Sequence, residues 1–160
     1  LGEHGFWCKH STFYEAVQIP LIISSPKFDS KEETNSFTEL VDIYPTLCEL
    51  AGIIPPNYLQ GKSLTPVLKN PEIILKDEIY TRYKQGEAVI DKNYAYTEFV
   101  QGNKYLGNML YEMTNDKKQN IDISNLPPGG LHKPLLGDFA LCKSSKRSLA
   151  SFAKSRQDIL

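Results

Sequence analysis

The apolar positions change period along this chain, and each period predicts a different element. Between 36 and 51, Phe37, Leu40, Val41, Tyr44, Leu47, Cys48 and Ala51 recur at steps of three and four. That spacing lays one apolar face on a helix. Ser36 with Glu39 three residues on reads as a capping box, and Gly52 as the stop. Pro45 should kink or split the helix near Tyr44, because it has no N–H to give. From 78 to 113 the pattern alternates instead: 79–83, 88–90, 94–100 and 109–113 read as strands rich in Ile, Val, Tyr and Phe. Asp91-Lys92-Asn93 and Gln101-Gly102-Asn103-Lys104 separate them as turns. The prediction is a small antiparallel sheet with aromatic cross-strand pairs.

Ahead of both lies Ile19-Pro20-Leu21-Ile22-Ile23, an apolar run closed by Pro26. It predicts a buried strand, with Pro20 at its beginning where no ladder hydrogen bond is needed. Residues 13–17 suggest a short turn or helix, and the polar residues 27–35 a solvated loop. Residues 61–68 predict a turn and a short helix capped by Ser63 or Thr65. Gly61-Lys62-Ser63 echoes a phosphate loop, but Pro56 stands where its first Gly belongs and no strand precedes it. From Leu126 the pattern is lost. Pro127-Pro128-Gly129-Gly130 breaks the chain, and Lys143-Ser144-Ser145-Lys146-Arg147-Ser148 is basic and Ser-rich, a composition that favours disorder.

Charge adds exclusions. A net charge of -1 gives no basic field for nucleic acid. No apolar run approaches the ~20 residues of a membrane-spanning helix. Cys8, Cys48 and Cys142 form no C-x-x-C pair, so their spacing supplies no zinc site. Cys48, inside the helical pattern, is expected to be a buried core thiol.

The chemistry is concentrated in the first ten residues, Leu1-Gly2-Glu3-His4-Gly5-Phe6-Trp7-Cys8-Lys9-His10. Two glycines frame a carboxylate, two imidazoles, an indole, a thiol and an ammonium. There is no initiator Met, and the expectation is that the earlier half of an active-site loop lies upstream.

Taken in order, Leu1-Gly2-Glu3-His4-Gly5, Trp7-x-Lys9, Ile19-Pro20-Leu21-Ile22, Val41-Asp42-Ile43-Tyr44-Pro45-Thr46-Leu47-Cys48-Glu49-Leu50-Ala51-Gly52, Leu59-Gln60-Gly61-Lys62-Ser63-Leu64 and Met109-Leu110-Tyr111-Glu112-Met113-Thr114-Asn115-Asp116 resemble the sulfatase family, and more narrowly its iduronate-2-sulfatase-type branch. The resemblance covers about residues 1–123. It implies an α/β fold: the C-terminal part of an alkaline-phosphatase-like sulfatase. Residues 1–70 would end the large domain, 77–123 would form a small antiparallel subdomain, and 126–160 would be a divergent tail.

The activity so implied is hydrolysis of a sulfate ester, the 2-sulfate of an iduronate-type uronic acid in glycosaminoglycans. The alternatives are an aryl- or choline-sulfatase type of hydrolase, or a non-catalytic binding or assembly module. Family members use a formylglycine made from the cysteine of C-x-P-x-R, and a calcium ion (Ca2+) held by aspartates. This chain has no C-x-P-x-R and no Asp-Asp pair, so both sites are expected upstream of Leu1, and the chain alone is expected to be inactive. Its implied partners are a sulfated sugar and the N-terminal part of the sulfatase; the family is usually exported or lysosomal. Lys9 matches the family's sulfate-contacting lysine, a catalytic and substrate-binding role. His10 falls where a sugar carboxylate is contacted, a substrate-binding role. His4 is expected to hold the loop by a structural hydrogen bond, and Trp7 to pack in the core.

Overall fold

The computed structural model describes residues 2–28 and 32–125. Leu1–Ser124 makes one compact unit. The tail predicted over 126–160, with Cys142, lies outside the described residues. The secondary structure of the unit is led by one sheet: β1 (Glu78–Tyr83), β2 (Gly86–Asp91), β3 (Tyr94–Gln101) and β4 (Lys104–Glu112), antiparallel throughout and in the order β1-β2-β3-β4. The alternating pattern fixes the register. Ile90 faces Ala95 and Ala88 faces Thr97 across β2–β3, while Ala95 faces Tyr111 across β3–β4. A bulge at Phe99 and Val100 interrupts the last pairing. Asp91 closes the β2–β3 turn, its Oδ1 accepting from the N–H groups of Asn93 and Tyr94 at 2.6 Å each.

One face of the sheet carries the core of Ile90, Ala95, Tyr111 and Met113, covered by Phe13, Tyr14 and Val17. Tyr14 and Val17 bound the short helix α1 (Tyr14–Val17), as the sequence predicts. Thr12 and Thr97 share a buried hydroxyl hydrogen bond of 3.1 Å beneath it. The loop after β4 ties this segment down. Buried Gln119 accepts from the Tyr14 N–H at 2.5 Å, and Asp116 in turn accepts from the Ile121 N–H at 2.8 Å.

The predicted helix over 36–51 is shorter and starts later. A single 3-10 turn, Leu40–Asp42, leads into α2 (Ile43–Ala51). Ser36 is not its cap; it is buried ahead of the helix, where its hydroxyl accepts from the Leu75 N–H at 2.9 Å. The reciprocal cap falls three residues later, with the Glu39 N–H donating to Asp42 Oδ2 at 2.8 Å. Pro45 therefore sits in the first turn of α2, where a missing N–H costs nothing. Gly52 closes the helix in the left-handed region at φ 71°, and Cys48 is buried, both as expected.

The buried face of α2 differs from the predicted one. Leu40, Val41, Tyr44 and Leu47 are exposed, while Asp42, Pro45, Thr46 and Cys48 are buried. Hydrogen bonding to residues 61–64 selects that face. The Lys62 N–H donates to Asp42 Oδ1 and the Leu64 N–H to Thr46 Oγ1, each at 2.8 Å. Gly61 permits this approach, since a Cβ there would lie 1.9 Å from the Val41 carbonyl oxygen. The following helix α3 (Thr65–Lys69) begins after Leu64, with Ser63 Oγ accepting from the Thr65 N–H at 3.2 Å.

Residues 19–25 correct a second expectation. They form no strand and pair with none among the described residues, and Ile22 is 91% exposed. The run has the composition of a buried strand without the cover.

Candidate functional site

The opening loop is built on unusual backbone. Gly2 at φ 103° and Gly5 at φ 74° bracket a 3-10 turn, Glu3–Gly5, and His4 between them sits at φ 54°. A side-chain-bearing residue holds that conformation only when its surroundings demand it. Here they do: the His4 ring stacks on Phe13 at 3.9 Å with 2° between the planes. Its Nε2–H donates to the Lys118 carbonyl at 2.8 Å, and Glu15 Oε2 lies 4.0 Å away. His4 thus anchors the loop to the segment after β4, the structural role expected of it.

The loop then runs outward. Trp7 is 78% exposed, against the expectation of a core indole. Lys9 is exposed, and among the described residues no hydrogen bond or ion pair holds its ammonium. His10 is exposed but held: its Nδ1 lies 3.2 Å from Cys8 Sγ, and its ring stacks parallel to Tyr83 with centroids 5.5 Å apart and 2° between planes. Tyr83 ends β1, and the next residue, Lys84, places its Nζ over the Tyr83 ring, 5.4 Å from the centroid. Of the two site residues expected from sequence, His10 is thus set against Tyr83, which Lys84 flanks, and Lys9 precedes it in the same exposed loop; the sequence reading did not single out Tyr83 or Lys84.

Sequence reasoning also missed a buried charge cluster. Asp42 is 0% exposed. Lys76 Nζ reaches Glu39 Oε2 at 2.5 Å and Asp42 Oδ2 at 2.7 Å. Glu39 Oε1 also accepts from the Tyr80 N–H at 3.1 Å, so the cluster joins the entry of α2 to β1. Its oxygens are occupied by fixed donors, which makes it a structural tie. Among the described residues no group of three or more His, Cys, Asp and Glu is arranged to hold a metal ion. The described residues therefore do not by themselves make up a calcium site.

Around Asp116 and Glu112 the carboxyls are held below their usual range. For Asp116 burial pushes upward but is outweighed by hydrogen bonds from the Asn120 and Ile121 backbone and the Asn120 side chain. For Glu112 the hydrogen bond from the Asn115 amide leads, with Thr114 adding to it. Burial raises the Tyr111 phenol, and the nearby Asp122 carboxylate adds to the shift.

Residues 2–127 match the family described as N-sulphoglucosamine sulphohydrolase, C-terminal. The chain is 30% identical over 176 aligned residues to a Delta 4,5-hexuronate-2-O-sulfatase of Bacteroides thetaiotaomicron, covering 98% of this chain and 36% of that protein. It is 42% identical over 71 residues to an N-acetylglucosamine-6-O-sulfatase of the same organism, covering 44% of this chain and 13% of that protein. A solved structure, described as a complex with its substrate D-glucosamine-2-N,6-O-disulfate, superposes with a TM-score of 0.77 at 23% identity over 91% of this chain and 31% of that one. The chain spans about a third of the length of the curated relative it matches over most of its own length.

Proposed function

Because the chain belongs to the N-sulphoglucosamine sulphohydrolase C-terminal family and has the C-terminal part of the α/β, alkaline-phosphatase-like sulfatase fold, we propose that it is the C-terminal part of a sulfatase that releases the 2-sulfate of a uronic acid in glycosaminoglycans. The observation that carries the choice of sugar is the likeness to a hexuronate-2-O-sulfatase over 98% of the chain. The exposed ammonium of Lys9, held by no hydrogen bond or ion pair among the described residues, supports contact with a sulfate.

In this reading the Lys9 ammonium sits beside the sulfate and offsets charge that builds on the bridging oxygen as the S–O bond breaks. His10, one residue on and fixed in plane, lies toward the sugar carboxylate. Calcium and formylglycine, as the family uses them, would be supplied by residues upstream of Leu1. Residues 19–25 and the outward face of α2 would pack against that upstream part, with residues 1–70 completing its large domain and 77–123 forming the small subdomain. The uncovered Ile22, Tyr44, Leu47 and Ile54 support this placement.

The experiment is a substrate comparison with the longer protein that contains this chain. Sulfate release is measured from a 2-O-sulfated uronate disaccharide, from 6-O-sulfated N-acetylglucosamine and from N-sulfated glucosamine. The uronate should be turned over with the highest kcat/KM. Preference for either glucosamine would overturn the choice of sugar.

A further inference from the structure

Resting on the sulfatase reading above, we propose that Tyr83, at the tip of the β1–β2 hairpin, is a positioning residue that sets the plane of the His10 imidazole, making this hairpin a specificity element for the sugar. Three observations converge. The His10 and Tyr83 rings are parallel within 2° at 5.5 Å, an offset stack. His10 is exposed while Tyr83 is half-buried, so the tyrosine is the fixed member and the imidazole the adaptable one. The turn that presents Tyr83 holds Lys84 at φ 52°, an uncommon conformation for a lysine, with its ammonium 5.4 Å from the Tyr83 ring centroid.

An imidazole on a loop otherwise turns freely about its side-chain bonds. Stacking removes part of that freedom before the sugar arrives, so less ordering is left for binding. The effect should therefore appear in sugar affinity and leave the chemical step alone, because Tyr83 touches neither the sulfate nor Lys9 in this reading.

The test uses the longer, active protein with histidine-selective NMR labelling. Wild type and Tyr83→Phe should show His10 ring protons shifted upfield by the neighbouring ring, and Tyr83→Leu should lose the shift. With a 2-O-sulfated uronate disaccharide, Tyr83→Leu should raise KM on the order of 3- to 10-fold with kcat unchanged, the scale of one aromatic stack. Tyr83→Phe should restore wild-type KM, and Tyr83→Leu should add nothing to His10→Ala. A KM unchanged in Tyr83→Leu, a fall in kcat alone, or an identical His10 signal in all three proteins overturns the proposal. If wild type releases no sulfate from any sugar, the function reading fails, and the His10 signal still decides whether Tyr83 fixes the ring.

Discussion

The sheet and the segment ahead of it are both rich in large apolar residues, yet they are held in opposite ways. Strands β1–β4 find their partners inside residues 78–112, one hairpin after another, and bury Ile90, Ala95 and Tyr111 on one face. Residues 19–25 have the same β-forming composition and no strand partner among the described residues, and α2 turns its Tyr44 and Leu47 outward. Composition alone thus does not decide burial; it is decided by whether the complementary surface is supplied nearby. The region that carries Lys9 and His10 is the less self-sufficient of the two. A rigid local sheet, reached through His4, Phe13 and Gln119, holds an exposed loop in place.

The largest expected effect comes from cutting the tie between the regions. Lys76→Ala leaves Asp42 buried with no countercharge, which should cost ~3–5 kcal/mol in urea unfolding. The double variant Asp42→Asn with Lys76→Met should recover part of that, because it removes the fully buried carboxylate together with its cation and leaves only the partly exposed Glu39 without Lys76. A cost below ~1 kcal/mol for Lys76→Ala would show that water reaches Asp42 and that the regions are joined elsewhere.

Lys9→Ala tests the other side of the contrast. In the longer protein it should lower kcat on the order of 10²–10³-fold, about 2.7–4 kcal/mol of barrier, as removal of one positioned charge donor does. Its unfolding free energy should stay within ~0.5 kcal/mol of wild type, since the side chain is exposed and makes no hydrogen bond or ion pair among the described residues. Near-wild-type kcat would remove Lys9 from the chemistry.

Legibility in the sequence followed the same division. The four strands and two of the turns could be read because each partner is the next element and period-two patterning states which face is buried, while β2 begins at Gly86 rather than 88 and β4 at Lys104 rather than 109. The burial of Cys48 and the stop at Gly52 were read from helical spacing. The face of α2 was misread because Asp42 and Thr46 look like solvent positions until Lys62, Leu64 and Lys76 arrive from far along the chain. Lys9 and His10 were reached through resemblance, since a lone lysine and histidine in a loop carry no periodic signal. Tyr83 was hidden as one aromatic among several in a strand, and its contact with His10 exists only once the hairpin folds over the loop.

Ile22 sharpens the comparison at a smaller scale. In the chain by itself, Ile22→Ser should change stability by no more than ~0.5 kcal/mol, because the side chain already meets water. In the longer protein the same change should cost about 1.5–3 kcal/mol, the value of burying an isoleucine. Urea unfolding of both proteins gives the difference directly. Equal costs would mean that residues 19–25 stay uncovered, and that the proposed packing against the upstream part is wrong.

The smallest effect concerns acid. The folded Asp116 carboxyl titrates below its ordinary value of 3.8. The stability it lends is therefore fully present above that value, and is lost as pH falls through the lower folded one. Glu112, also lowered, acts in the same direction. Protonating Asp116 weakens the hold on the Ile121 N–H, in the loop whose Gln119 and Lys118 grip Tyr14 and His4. Acid should therefore loosen the opening segment before it opens the sheet. Amide exchange followed as pH is lowered stepwise below 3.8 should show protection lost first at the Tyr14 N–H, while the Ile90 and Ala95 amides stay protected. Asp116→Asn should flatten that dependence, because the amide no longer titrates. If the sheet amides lose protection together with Tyr14, the two regions unfold as one cooperative unit, and the contrast between a self-sufficient sheet and a dependent loop does not extend to their stability.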